Sequence, residues 1–243
     1  MDGQLLIPLS ASLLAALVTT IGIVVIRRFG DWGRQNSTYF ASFAAGVLIA
    51  VSFLHLVPTS LAMNAQAPAY LLVGYLAMHL LNRFIVLQVC DRPATADYAI
   101  GLVPMLGIGF HSFIDGVIYS VTFTVSMFTG VLAALGMVLH EFPEGIVTYV
   151  LLMRGGFSER MALFLAFVAA ALTTPLGTAV SQPFISQLGS SVLGALLALS
   201  AGVLIYVGAT HLLPVTEREP RRYSLVALAG GIVVALGIIL GAA

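Results

Sequence analysis

Charge is what this sequence has least of. Of its 243 residues only 8% are charged and 60% are apolar, whereas a soluble domain carries about 25% charged residues. The charges are ten acids and ten bases, for a net charge of zero. That composition excludes an ordinary cytosolic enzyme, a nucleic-acid binder and a disordered chain, and leaves a polytopic membrane protein. Lysine is absent, so every base is arginine. The single cysteine, Cys90, excludes an intrachain disulfide and a thiolate metal cluster. No basic residue precedes the first apolar run, which begins after Met1-Asp2. That run is therefore expected to be a retained span rather than a cleaved signal peptide.

What fills the sequence instead is apolar blocks. One helix needs about 20 apolar residues to cross a bilayer. The run 3–26 accommodates one helix, and 35–82 accommodates two around the polar break Asn64-Ala65-Gln66-Ala67-Pro68. Residues 98–153 hold two more, with a break near Thr122–Ser126 and only Asp115, Glu141 and Glu144 as charges. Residues 161–216 hold another two, broken around Ser181–Ser191, and 223–243 hold the last. The expected fold is an all-α polytopic membrane protein, one transmembrane domain over residues 1–243. Its eight helices are placed at about 4–26, 38–60, 69–89, 98–120, 128–152, 160–181, 190–213 and 223–242.

The arginines support eight. Arg27, Arg28 and Arg34 fall between helices 1 and 2; Arg83 and Arg92 at and after the end of helix 3; Arg154 and Arg160 between 5 and 6; Arg218, Arg221 and Arg222 between 7 and 8. An odd count would divide them between the two faces. With eight spans all ten share one face, which the positive-inside rule makes cytoplasmic. Both termini are then extracytoplasmic. Asp31, Asp91, Asp97, Glu159, Glu217 and Glu219 share those loops and read as solvated charges.

The sequence also repeats. The segment from Ala45 to Pro58 (AGVLIAVSFLHLVP) aligns with that from Ala201 to Pro214 (AGVLIYVGATHLLP), with nine of fourteen positions identical. Helices 2 and 7 run in opposite directions in an eight-span chain. Helices 1–3 and 6–8 therefore read as an inverted repeat flanking helices 4 and 5, an arrangement found in transporters with a binding site near mid-membrane.

Polar residues where lipid should forbid them mark the centre. Helix 4 carries His111-Ser112-Phe113-Ile114-Asp115-Gly116, and helix 5 carries His140-Glu141-Phe142-Pro143-Glu144-Gly145. His111 and Asp115 are four apart, as are His140 and Glu144, so each pair shares a helical face. An acid at the bilayer centre costs about 2.5–3.5 kcal/mol on insertion scales. Three therefore cost roughly 8–10 kcal/mol, comparable with the ~5–15 kcal/mol stability of a whole fold. No arginine lies inside these spans to pair with them. Two imidazoles and three carboxylates without a thiolate suit Zn²⁺, Fe²⁺, Mn²⁺, Co²⁺ or Cd²⁺ better than Cu⁺. Pro143 and Pro104 each remove one backbone hydrogen bond, freeing the Leu139 and Ile100 carbonyls as ligands or hinges. His55 and His211, each three before a proline, are either pathway ligands or interfacial histidines, whereas His79 and the glycines of helix 8 read as structural.

With these motifs the sequence resembles the ZIP (Zrt-, Irt-like protein) family of divalent-metal transporters over all eight spans. The resemblance rests on His-x-x-x-Asp-Gly and His-Glu-x-Pro-Glu-Gly, supported by His-Leu-x-Pro on helices 2 and 7. It implies a 3+2+3 helix arrangement with outward termini, and a metal held by His111, Asp115, His140, Glu141 and Glu144. Asp115 and Glu144 would be placed to bridge a second metal, beside Glu141 and Ser112. Ser112, His55, His211 and Thr174 are the candidates for a second site or pathway. Several positions depart from the family pattern. Ser112 stands for the usual Asn, Asp115 for the usual Glu, Thr174 for an acid before Pro175, and Thr59 for the acid after His-Leu-x-Pro. The short loop between helices 3 and 4 has no histidine.

The function implied is transport of a divalent transition metal, zinc first, into the cytoplasm. It has no catalytic residues and no resident cofactor, the metal being the substrate. The expected setting is a lipid bilayer, in a prokaryotic plasma membrane, with a homodimer as a candidate assembly and no nucleic-acid partner. The competing reading from another class is a membrane-embedded zinc-dependent hydrolase, since His140-Glu141 resembles the start of His-Glu-x-x-His. Here the fifth position is Glu144 rather than His, and Pro143 interrupts the motif. A proton- or sodium-coupled carrier of another solute would also use intramembrane acids, but it leaves the four spaced ligands unexplained.

Overall fold

The computed structural model describes residues 3–90, 96–214 and 222–241. Side chains are described for all of these except 3, 4, 31–37, 82, 85–90, 96–100, 103, 104 and 211. Outside this description lie Asp2, Arg92, Arg218, Arg221, Asp91, Glu217 and Glu219, and the side chains of Asp31, Arg34, Asp97, Pro104 and His211.

The described residues are helical, with no strand among them. We number eight helical rods. Helix α1 is Gly3–Arg28. Helix α2 runs Gly30–Val51, passes through a π-helical turn at Ser52–Leu56 and ends with Val57–Met63. Helix α3 is Ala67–Cys90, α4 is Ala96–Val125 and α5 is Met127–Arg154. Helix α6 runs Glu159–Ala166, a π turn at Phe167–Leu172, then Thr173–Ile185. Helix α7 is Ser190–Ile205 followed by a π turn at Tyr206–Leu212, and α8 is Ser224–Gly241. Seven of these rods contain stretches long and apolar enough to cross a membrane. In α3, a helix of 24 residues, the described apolar stretch is Ala67–Leu81.

The breaks are tighter than the sequence predicts. Between α2 and α3, Asn64 turns to an extended backbone and its Oδ1 accepts the Gln66 N–H at 2.8 Å. A single residue, Ser126, separates α4 from α5. It is extended, and its Oγ accepts the Thr129 N–H at 3.0 Å, an N-cap that restarts the helix at once. Helix α2 starts at Gly30, well before residue 38, because the chain re-enters a helix immediately after Phe29. Pro143 lies within α5, which is helical throughout Met127–Arg154.

Contacts between helix ends fix which ends lie together. Arg27 Nε and Glu159 Oε1 are 2.5 Å apart, joining the end of α1 to the start of α6. Asn64 Nδ2 donates to the Ser191 carbonyl at 2.9 Å, joining the α2–α3 turn to the start of α7. His55 Nε2 lies 3.0 Å from Thr129 Oγ1, bringing the later part of α2 to the start of α5. A small cavity of about 250 Å³ is lined by Ile7 and Pro8 of α1, Phe123, Thr124 and Met127 around the α4–α5 turn, and Gln182 and Ser186 of α6.

The packing is inside-out relative to a soluble protein. Leu13, Leu80, Phe164, Phe184, Leu225 and Leu240 are each more than half exposed, as a lipid-facing surface requires. Beside larger apolar residues such as Leu48, Ile118 and Leu204, the interior is rich in alanine, glycine and hydroxyl residues such as Ser42, Thr122 and Thr148, whose side chains donate to carbonyls four residues back. Small residues let helix backbones approach where lipid removes the usual hydrophobic drive.

Those approaches come in matched pairs. A methyl group on Gly46 would overlap the Leu228 carbonyl of α8, and one on Gly202, which is 46 plus 156, would overlap the Leu71 carbonyl of α3. Gly231 of α8 meets the Phe43 carbonyl, while Gly74 of α3 meets that of Leu199, which is 43 plus 156. Around the centre, Gly22 of α1 meets the Phe142 carbonyl of α5, and Gly177 of α6, 22 plus 155, meets that of Phe113 on α4. The packing of α2 on α8 is thus repeated by α7 on α3, and that of α1 on α5 by α6 on α4. The π turns at Ser52–Leu56 and Tyr206–Leu212 also fall at matching positions of the repeat. Gly46→Leu and Gly202→Leu are expected to lower stability to a similar degree, about 1–3 kcal/mol each as overpacking does. Thermal unfolding of the purified variants in detergent checks this, and a loss at one position only would contradict the equivalence.

Candidate metal centre

Four side chains converge between α4 and α5. Helical spacing stacks His111 over Asp115 and His140 over Glu144 on facing sides of the hairpin. One ligating atom from each of the four lies within 4.8 Å of the others. Asp115 Oδ2 is 3.0 Å from His140 Nε2 and 3.4 Å from His111 Nε2; Glu144 Oε2 is 3.3 Å from His140 Nε2 and 3.9 Å from His111 Nε2. Zinc holds nitrogen and oxygen ligands at about 2.0–2.2 Å, so ligands of a tetrahedral site lie roughly 3.3–3.6 Å apart. The observed separations bracket that range.

All four side chains are at most one-tenth exposed. Yet neither oxygen of Asp115 nor either ring nitrogen of His140 has a hydrogen bond among the described residues. The 3.0 Å pair is off-line for one. Buried polar atoms are ordinarily hydrogen-bonded, and four ligating atoms within 4.8 Å of one another and short of hydrogen bonds suit a shared cation. The imidazole rings of His111 and His140 meet edge to face, their centroids 5.6 Å apart. Glu144 is steadied from outside, because Ser112 Oγ donates to its Oε1 at 2.8 Å. Such outer hydrogen bonds orient ligands.

The remaining candidates lie elsewhere. Glu141 is fully buried but outside the four: its carboxylate accepts hydroxyl hydrogen bonds from Thr19 of α1 and from Thr174 of α6. Thr174 therefore reaches the centre only through Glu141, and Ser112 through Glu144. His55 sits in the π turn of α2 against Thr129, its ring edge-on to Phe128. The backbone of His211 belongs to the matching π turn of α7, and its side chain is outside the described residues. His79 is exposed, with its ring centroid 6.0 Å from that of Tyr206.

Thr19 is a residue that the sequence reading missed. The signal was present: Ala16-Leu17-Val18-Thr19-Thr20-Ile21-Gly22 aligns with Ala171-Leu172-Thr173-Thr174-Pro175-Leu176-Gly177, a further stretch of the same repeat. Tyr119 was missed too. It stands one turn beyond Asp115 on the ligand face, is fully buried, and its hydroxyl has no hydrogen bond among the described residues.

A sequence profile of the family described as ZIP zinc transporter matches residues 91–240, more than half of the chain. The chain belongs to the ZIP family. Individual relatives agree. The metal cation symporter ZIP14 of Homo sapiens is 31% identical over 124 residues, 49% of this chain and 24% of that protein. ZIP14 of Bos taurus is 30% identical over 143 residues, 56% of this chain and 27% of the relative. The zinc transporter ZIP13 of Pongo abelii is 25% identical over 253 residues, covering 96% of this chain and 75% of that protein. The chain spans about a quarter of the length of the ZIP14 relatives that it matches. It is a member of a metal-transporter family with multiple apolar helices.

The geometry sets an order among the ligands. His140→Ala is expected to weaken Zn²⁺ binding by at least ~100-fold, because outer partners alone typically account for 10–100-fold. Ser112→Ala, which removes only the support of Glu144, is expected to cost about tenfold. Isothermal titration of purified protein checks both. The same titration should weaken as pH is lowered, since histidine and carboxylate must lose their protons to bind metal.

Proposed function

We propose that this protein carries a divalent transition-metal ion, zinc foremost, across the membrane into the cytoplasm. The four convergent side chains of His111, Asp115, His140 and Glu144 would be the binding site. The observation that carries this reading is the quartet itself: two imidazoles and two carboxylates, buried between apolar helices, within ligand distance of one another and short of hydrogen bonds. The zinc and metal-cation relatives support the same cargo class.

The proposed topology is eight spans in a 3+2+3 arrangement, α1–α3 and α6–α8 forming inverted repeats around α4 and α5. The matched glycine contacts and π turns support it, as does the Arg27–Glu159 contact between the arginine-bearing ends of α1 and α6. The arginine-bearing ends are then cytoplasmic and both termini extracytoplasmic. A plasma membrane, the inner membrane of a prokaryote, is the proposed location, and a homodimer the proposed assembly.

For a bound ion to be exposed alternately, one part of the molecule has to move against another. The closest backbone approaches described above join α1 to α5, α4 to α6, α2 to α8 and α3 to α7, so each falls within one of two groups. Where α5 meets α2 beside Gly136, by contrast, the facing atoms are the side chains of Leu48 and Val47. Close backbone packing makes rigid units, and side-chain contacts slide more readily. We infer that α1, α4, α5 and α6 carry the ion as one body past α2, α3, α7 and α8.

The hydrolase alternative lacks its base. In a His-Glu-x-x-His enzyme the glutamate activates the metal-bound water, whereas Glu141 here is taken up by Thr19 and Thr174. Zinc uptake by proteoliposomes tests the proposal. The His140→Ala/Glu144→Ala double variant is expected to lose at least ~100-fold of wild-type uptake. Equal uptake by the two proteins would overturn the assignment.

A further inference from the structure

Glu141 stands beside the ligand His140 yet is held away from the ligand set. On a helix the neighbouring residue is turned by about 100°, and here that turn brings the carboxylate between two other helices. Oε2 accepts the hydroxyl of Thr19, in the middle of α1. Oε1 accepts the hydroxyl of Thr174 at 3.2 Å, two residues past the π turn of α6. Both threonines are fully buried, and they are equivalent positions of the repeat, 19 plus 155 being 174.

The same two threonines also carry close backbone approaches. A methyl on Gly145 of α5 would overlap the Thr19 carbonyl, and one on Gly116 of α4 would overlap the Thr174 carbonyl. At each threonine, then, a flanking helix is fastened twice: by backbone contact to a ligand helix and by hydroxyl to Glu141. The position of α4 equivalent to Glu141 is Ser112, 141 less 29, whose hydroxyl goes to Glu144 instead. Around Glu141 the partners are therefore hydroxyls, and no second carboxylate or imidazole faces it from α1 or α6.

Resting on the transport reading above, we propose that Glu141 is a positioning residue rather than a ligand. It ties α1 and α6 to the ligand helix α5 so that the four move together, and the centre takes one divalent cation. Loss of the ties leaves the quartet intact but lets the flanking helices slip, so turnover falls while binding persists.

The test uses the full chain. Bound zinc is counted by elemental analysis of purified protein, its Kd is measured by titration, and kcat and KM are measured in proteoliposomes. Wild type is expected to bind one equivalent. Glu141→Gln, Thr19→Val and Thr174→Val are expected to keep that equivalent with Kd within about threefold, while kcat falls roughly tenfold. Glu141→Gln, whose amide oxygen still accepts one hydroxyl, should retain more turnover than Glu141→Leu. If Glu141→Leu does not fold, the threonine variants carry the test. Two equivalents on wild type, a Kd loss above about tenfold in Glu141→Gln, or unchanged kcat in both threonine variants would overturn the proposal. A wild type that binds no metal would instead overturn the transport reading, so the two failures are distinguishable.

Discussion

Everything in this molecule is arranged around carboxylates that lipid disfavours. Asp115, Glu141 and Glu144 are buried among apolar helices, and the sequence places no arginine inside the spans to face them. Each would cost about 2.5–3.5 kcal/mol at mid-bilayer. The structure meets that cost in two ways. Glu141 receives two hydroxyls from its own fold. Asp115 has no hydrogen bond among the described residues, and Glu144 has one hydroxyl on the oxygen that faces away from the quartet. The first is a finished internal arrangement, and the second leaves buried oxygens without a hydrogen-bond partner among the described residues.

That division depends on how closely the helices approach. A hydroxyl on α1 reaches the Glu141 carboxylate on α5 because Gly145 and Gly22 bring these two backbones into contact; the hydroxyl of Thr174 on α6 reaches the same carboxylate while Gly116 and Gly177 hold α6 against α4. A larger residue at any of these four would push the helices apart and leave Glu141 without its donors. The cost of burying the acid is therefore borne by small residues distant in sequence. In lipid, where helix association draws on packing rather than on release of water, such contacts are the available source of rigidity.

The sequence made the helices and the four converging side chains legible, because both signals are local. Apolar runs of about 20 residues can hardly be anything else, and histidine four before an acid states its own face. The arginine distribution pointed to one shared face, and the Arg27–Glu159 contact is what such a distribution leads one to expect. Distance along the chain defeated the reading elsewhere. Glu141 was named by resemblance and by its place beside His140, and no local signal shows that its carboxylate accepts the hydroxyls of Thr174 and of Thr19, 122 residues away. The π turns leave no mark in hydropathy, since one extra residue in a helical turn changes register and not composition. The turn at Ser126 was drawn too long because a capped restart needs only one residue.

The repeat explains why the quartet has two members on each helix, and also why its surroundings are unequal. Residues His111 and Asp115 superpose on His140 and Glu144 by a shift of 29, so the ligands straddle the line that exchanges α4 with α5. The flanking positions break this evenness. Glu141 corresponds to Ser112, so one helix presents an acid to its neighbours where the other presents a hydroxyl to its partner's ligand. The hydroxyl orients Glu144, and the acid secures α1 and α6. Each half of the repeat thus supplies two ligands, but the support of those ligands comes from α4 and the fastening of the flanking helices from α5. A perfectly symmetric pair would have to choose between those tasks.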